Sequence, residues 1–201
     1  MKTLLVIDVQ NDFLPGGSLA VPGSNVILPR INAFIRRFDL VVASQDWHPQ
    51  DHGSFASNHP GRKPFEQIDL NGLPQTLWPD HCVQGSTGAE FSPELDAGPI
   101  EAIFRKGTDP AIDSYSAFFD NGRRKSTGLA DYLRGKGAKD LWLCGLAGEI
   151  CMHYTAMDAL REGFNVHFIA DASIVLDPAK EGLHLQELRE KGAEIVNSGE
   201  L

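Results

Sequence analysis

DLWLCGLAGEICMHYTAMDALRE, residues 140–162, reads as a strand, a tight turn and a helix in succession. Asp140 to Cys144 is an apolar run of strand length, Gly145 to Gly148 supplies the turn, and Glu149 to Glu162 carries apolar residues at helical spacing. An apolar run without polar alternation marks a strand covered on both faces, the situation of parallel sheets. Such runs recur at Thr3 to Val9, Asp39 to Ser44, Pro99 to Arg105, Asn165 to Ala170 and Glu194 to Val196. Helix-like stretches lie between them at Ser24 to Phe38, Gly128 to Gly137 and Pro178 to Lys191, several closed by Gly at the expected C-terminal position. The alternation predicts an α/β fold, a three-layer α/β/α sandwich around a mostly parallel sheet.

Composition narrows the class further. The chain of 201 residues suits one domain, 1–201, with a sizeable core. Lys plus Arg number 18 against 27 Asp plus Glu, a formal charge of −9 that disfavours a nucleic-acid partner. The N-terminal apolar run stops at Asp8, too short for a signal-peptide core, and nowhere do the roughly 18 apolar residues of a membrane span run together. Cys82, Cys144 and Cys151, an odd count, read as free thiols of a reducing compartment. The expectation is a cytoplasmic protein that binds neither nucleic acid nor membrane.

One interval breaks the alternation. From about residue 48 to 98 the chain has no sustained period and is dense in Pro, Gly, Asn and His. Irregular segments of that length inside a domain are usually functional walls or lids. A second such stretch, Gly107 to Gly122, carries Asp113-Ser114-Tyr115-Ser116 and is expected to line a pocket too.

In parallel α/β sheets ligands bind beyond the carboxyl ends of the strands, so polar residues just past those ends are candidates. Asp8 follows TLLVI, Asp46 and His48 follow LVVASQ, Lys106 follows EAIFR, and Cys151 starts the helix after LWLCGLA. A thiol with a pKa of about 8.5 is only a few per cent ionised at neutral pH; a helix N-terminus and a nearby ammonium, here that of Lys106, would each favour its anion. Asp8 is the candidate acid and base. The backbone N–H groups of the Gly145 to Gly148 turn, Ala147 among them, together with that of Cys151 are candidate oxyanion donors. Asp46 and His48, two apart on extended backbone, face the same way and form a candidate ligand pair, with His81 the best third donor and His52 a fourth. Such N and O donors suit one divalent ion, Zn foremost, with Fe or Mn also compatible. Cys82 points away from His81 on extended backbone and reads as core. Phe13 and Trp78 are candidate stacking partners for a flat substrate. Taken singly, each of these residues has an ordinary structural explanation; only their convergence carries weight.

The ensemble resembles the nicotinamidases of the isochorismatase-like cysteine hydrolase superfamily. The matching stretches are LLVIDVQNDFLPGGSLAV, SQDWHPQDHGSF, WPDHCVQGSTGAEF, FRKGTDPAIDSYSAF and GLAGEICMHYTAMDAL, between Leu4 and about Ala172. The resemblance implies a triad of Asp8, Lys106 and Cys151, a metal on Asp46, His48 and His81, and His52 where some members place another metal contact. It implies further that the metal holds a pyridine nitrogen, that Phe13 and Trp78 flank the ring and that Tyr115 closes the pocket. The activity implied is hydrolysis of nicotinamide to nicotinate and ammonia through a cysteine thioester, in NAD salvage, with pyrazinamide as an alternative substrate. Homo-oligomers are common among such relatives. The Leu146-Ala147 peptide matches the position of a cis bond. One departure stands out: Gly148-Glu149-Ile150 replaces the common Thr-Asp-Tyr before the nucleophile, which puts in question the hydrogen bond made by that Asp. Competing readings are hydrolysis of isochorismate, a ureido acid or another small amide, and a non-catalytic binding protein of the same fold. A phosphatase beginning with Asp-x-Asp is disfavoured, because residue 10 is Gln10.

Overall fold

The computed structural model describes residues 1–201. Residues 3–7 show why the apolar runs do not alternate. In strand β1 (Lys2–Ile7), Leu4 and Val6 enter one apolar cluster while Leu5 and Ile7 enter another on the opposite face. Side chains alternate across a strand, so a strand with both faces covered needs apolar residues at every position.

The remaining strands are β2 (Leu40–Asp46), β3 (Gln67–Leu70), β4 (Leu73–Thr76), β5 (Ile100–Lys106), β6 (Asp140–Leu146), β7 (Asn165–Ile174) and β8 (Glu194–Val196). Six of them form one sheet in the order β5-β2-β1-β6-β7-β8, every neighbouring pair parallel. The helices are α1 (Ile27–Phe34), α2 (Leu129–Lys136), α3 (His153–Arg161) and α4 (Glu181–Glu190). Ile27, Leu28, Ile31 and Phe34 of α1 pack on the face of Leu4 and Val6. Leu129 and Leu133 of α2, Ala156 and Ala159 of α3 and Leu188 of α4 cover the face of Leu5 and Ile7. The layers are therefore helix, sheet and helices, as the alternation predicted.

Three local expectations are corrected. Double burial fails at the edges: β5 exposes Glu101, Ile103 and Arg105, and β8 buries only Val196 fully, because an edge strand lacks a neighbour and a full helical cover. The stretch Ser24 to Phe38 is continuous helix only over Ile27–Phe34, with a 3₁₀ turn on each side. The irregular interval contains the antiparallel hairpin of β3 and β4, whose four-residue strands are too short and too polar to leave a period in the sequence. No helix is long and apolar enough to cross a membrane.

The strand order reverses next to β1: the chain builds outward through β2 to β5, then returns to lay β6 on the other side of β1. Ligand crevices in open α/β sheets lie at such a reversal, beyond the carboxyl ends of the strands. Lys106, Asp46, Asp8 and the turn before Cys151 stand at the ends of the four adjacent strands β5, β2, β1 and β6.

Candidate active site

Lys106 ends β5 with its ammonium buried, and the parallel register sets it directly beside Asp46 of β2. Its Nζ lies 2.9 Å from Asp8 Oδ2, 3.0 Å from Asp46 Oδ1, 3.1 Å from the Ser114 carbonyl oxygen and 3.5 Å from Cys151 Sγ. An ammonium has three protons, and three oxygens lie nearer to it than the sulfur. Burial lowers the proton affinity of Lys106, but Asp46 and Asp8 outweigh it and hold the group well above its usual range.

Cys151 does not open a regular α-helix. A π-helical turn, Gly148–Met152, holds it, and α3 begins at His153. Lys106 favours the thiolate as expected, but burial outweighs it. Burial pushes the thiol pKa well above its ordinary value; Lys106 acts in the opposite direction, while Asp8 and Asp46 reinforce the rise. The sulfur has Lys106 Nζ as its hydrogen-bonding neighbour at 3.5 Å. Asp8 sits in the left-handed region at φ 50°, just past β1, and accepts a 2.6 Å hydrogen bond from Ser44 Oγ at its Oδ1. Burial raises its carboxyl above the usual range, with Lys106 opposing and Asp46 adding to the rise.

A second group of side chains adjoins this one. His48 Nε2 lies 3.0 Å and His81 Nε2 3.4 Å from Asp46 Oδ2. Each ring is oriented from behind, His48 donating through Nδ1 to the Gly107 carbonyl at 3.0 Å and His81 through Nδ1 to that of Pro79 at 2.7 Å. Gly107 has to lack a side chain: a Cβ there would lie 2.4 Å from His48 Cε1, at a φ of 65°. With both Nδ1 atoms engaged, the two Nε2 lone pairs and one carboxylate oxygen converge, a donor set that fits a divalent ion. Burial raises the Asp46 carboxyl, but His48 and Lys106 outweigh that and hold it well below the ordinary range. His52 is a different case. Its ring centroid is 4.3 Å from that of His48, yet it groups with His48 and Asp113 rather than with Asp46 and His81. Its Nδ1 lies 2.7 Å from Ser54 Oγ, its buried Nε2 has no partner, and burial with the neighbouring His48 pushes its pKa down to about 4.

Cys151 and this donor set open into one pocket. Phe13, Trp78 and Tyr115, singled out in the sequence, all line it, and Ala147 lies beside Cys151. Trp78 and Tyr115 meet edge to face at 6.2 Å, and Phe13 packs on His81 at 5.5 Å. The Leu146-Ala147 peptide is cis. Cys82 is fully buried in the core as expected, but on a left-handed backbone at φ 46° rather than an extended one.

Two residues escaped the sequence reading. Ser44 holds Asp8, as above. Gln10 donates through Nε2 to the Asp46 carbonyl at 2.8 Å and accepts from the Asp46 N–H at 2.8 Å, which fixes the end of β2. Its place two residues after Asp8 was the available signal. Asp113 lines the pocket and accepts from Gln75 Nε2 at 2.8 Å. This agrees with the expectation that the Asp113-Ser114-Tyr115-Ser116 stretch lines a pocket.

Fold and geometry together define an α/β protein with a thiol, ammonium and carboxylate centre at a parallel strand reversal, next to a carboxylate–imidazole donor set. The chain belongs to the isochorismatase family: the isochorismatase domain model matches residues 2–200. It is 46% identical over 196 residues to a nicotinamidase of Acinetobacter baylyi, covering 97% of this chain and 92% of that protein. A solved nicotinamidase/pyrazinamidase of Acinetobacter baumanii superposes with a TM-score of 0.96 at 42% identity, covering 99% of this chain and 97% of that one. A pyrazinamidase of Pyrococcus horikoshii, solved in complex with zinc, gives a TM-score of 0.81 at 38% identity with 98% of each chain covered.

Proposed function

We propose that the chain hydrolyses nicotinamide to nicotinate and ammonia through a thioester on Cys151, with pyrazinamide as an alternative substrate. The observation that carries the reading is the single Lys106 ammonium within 3.5 Å of Asp8, Asp46 and Cys151, the last two of which line a pocket walled by Phe13, Trp78 and Tyr115. The similarity to nicotinamidases along nearly the whole chain supports the choice of substrate.

Asp8 takes the proton of the Cys151 thiol as sulfur attacks the carboxamide carbon. The C–S bond forms, and the carbonyl electron pair moves onto oxygen, facing the backbone N–H groups of the Ala147 and Cys151 turn. Protonated Asp8 then delivers its proton to the amide nitrogen, the C–N bond breaks and ammonia departs. Asp8 next removes a proton from water, which attacks the thioester carbon; the C–S bond breaks and the thiol is restored. Lys106 keeps its proton throughout and offsets negative charge as it passes between carboxylate, sulfur and substrate oxygen. Asp46, His48 and His81 would hold one divalent ion, with Zn foremost among Zn, Fe and Mn for this donor set; bound there, it supplies a coordination point that orients a pyridine nitrogen. The free thiols and the absence of a long apolar run support a cytoplasmic setting, and the reaction belongs to salvage of the pyridine ring for NAD.

Ammonia release from nicotinamide tests this. Cys151→Ala is expected to abolish turnover, and chelation followed by metal analysis is expected to remove activity together with about one ion per chain. Turnover that survives the loss of the thiol ends the covalent route; full activity of metal-free protein ends the ligand assignment.

A further inference from the structure

The turn bearing Cys151 is tied to a distant segment. Glu149 accepts two backbone N–H bonds from the exit of β7, that of Leu176 at 3.0 Å on Oε2 and that of Asp177 at 2.8 Å on Oε1. A carboxylate gripping two successive N–H groups makes a pair of charge-assisted bonds with defined geometry. One residue earlier, the bare Gly148 lets the same segment close in: a Cβ there would stand 2.9 Å from Val175 Cγ1 and 3.1 Å from Ser173 Oγ. Leu176 is thereby brought to the pocket, where it lines the wall together with Ile150.

We propose that Glu149 is a positioning residue that latches Leu176 into place as an apolar wall of the substrate pocket, and so sets affinity for the flat ring. The inference rests on the amidase reading above. Glu149 makes no hydrogen bond to Asp8, Lys106 or the thiol; its two bonds go to Leu176 and Asp177. Without the latch, the N–H groups of Leu176 and Asp177 turn to water and the wall is free to draw back. An apolar contact made equally in the bound and transition states acts on KM and leaves kcat alone.

Steady-state kinetics on nicotinamide for the metal-loaded wild type, Glu149→Ala, Glu149→Gln, Leu176→Ala and the double variant Glu149→Ala/Leu176→Ala test this, alongside amide hydrogen exchange. Glu149→Ala should raise KM about tenfold with kcat within about twofold. Glu149→Gln should fall between, because its carboxamide oxygen accepts one N–H while its NH₂ opposes the other. The double variant should have a KM no worse than that of the more affected single variant, since both remove the same wall. The Leu176 and Asp177 amides should exchange faster in Glu149→Ala and stay protected in Leu176→Ala. Unchanged exchange in Glu149→Ala overturns the latch, whatever the substrate. An unchanged KM, a kcat that falls in step with kcat/KM, or additive effects in the double variant overturn its role in binding. A wild type inert toward nicotinamide refutes the amidase reading, and exchange still decides the latch. Should Glu149→Ala not fold, Glu149→Gln and Leu176→Ala carry the same comparison.

Discussion

Replacing Ser44 with Ala removes one hydroxyl, and the consequence can be worked through. The Ser44 Oγ bond to Asp8 Oδ1 is 2.6 Å long and fully buried, so water does not take its place. Burial lifts the Asp8 carboxyl above its ordinary range, and the Ser44 hydroxyl is one of the groups that pulls it back. Only the ionised carboxylate can accept the thiol proton, so kcat/KM falls as pH drops through the Asp8 pKa. Loss of a hydrogen bond to a charged group costs the ionised form about 1.5 to 3 kcal/mol. At about 1.4 kcal/mol per pH unit, the acid limb of the Ser44→Ala profile moves up by about one to two pH units. Above that limb the rate recovers to near that of the wild type, because the other contacts of Asp8 remain. Ser44→Thr keeps the hydroxyl and should leave the limb where it was. The measurement is kcat/KM for ammonia release across pH in buffers of constant ionic strength. A limb that stays in place while the whole profile drops would refute the reasoning, since it would mean that the hydroxyl shapes the site without tuning the base.

Two further outcomes follow from the buried charges. Lys106→Met leaves Asp8 and Asp46 facing each other without a cation, so urea unfolding should show a loss of about 3 to 5 kcal/mol near neutral pH, shrinking in acid as the carboxylates take up protons; an unchanged midpoint would contradict the pairing. His184 lies buried between Phe168 and His153, and burial followed by the charge of His153 lowers its pKa from 6.5 to about 4. Between those values the unfolded chain binds a proton that the folded chain refuses, so stability falls as pH drops from 6.5 to 4, by at most about 3 kcal/mol. His184→Leu should flatten that part of a pH series of melting temperatures, and an unaltered slope would assign it to other groups.

The order of elements was legible because a strand covered on both faces leaves an unbroken apolar run, and Thr3 to Ile7 shows this directly. The edges were not. β5 carries Glu101 and Arg105 among its apolar residues and exposes them together with Ile103, and a sequence does not by itself say which strand lies outermost. The hairpin of β3 and β4 was invisible because two strands of four residues, one containing Pro74, carry no measurable period. At the site, residue types chosen for their chemistry could be named from their places at strand ends. Residues that act by holding others could not: Ser44, Gln10 and Glu149 are ordinary polar side chains whose partners are 36, 36 and 27 to 28 residues away.

By itself the sequence determined which chemical groups are present and that alternating strands would deliver them to one end of a sheet, because strand ends can be read from local apolarity. The protonation states were decided only by the tertiary structure. Helix position and a neighbouring lysine argue for a thiolate when counted along the chain, but in three dimensions the ammonium is shared by two carboxylates and a carbonyl, all sealed from water. Desolvation and charge depend on everything within a few ångströms, and that neighbourhood is assembled from β5, β2, β1 and the turn after β6.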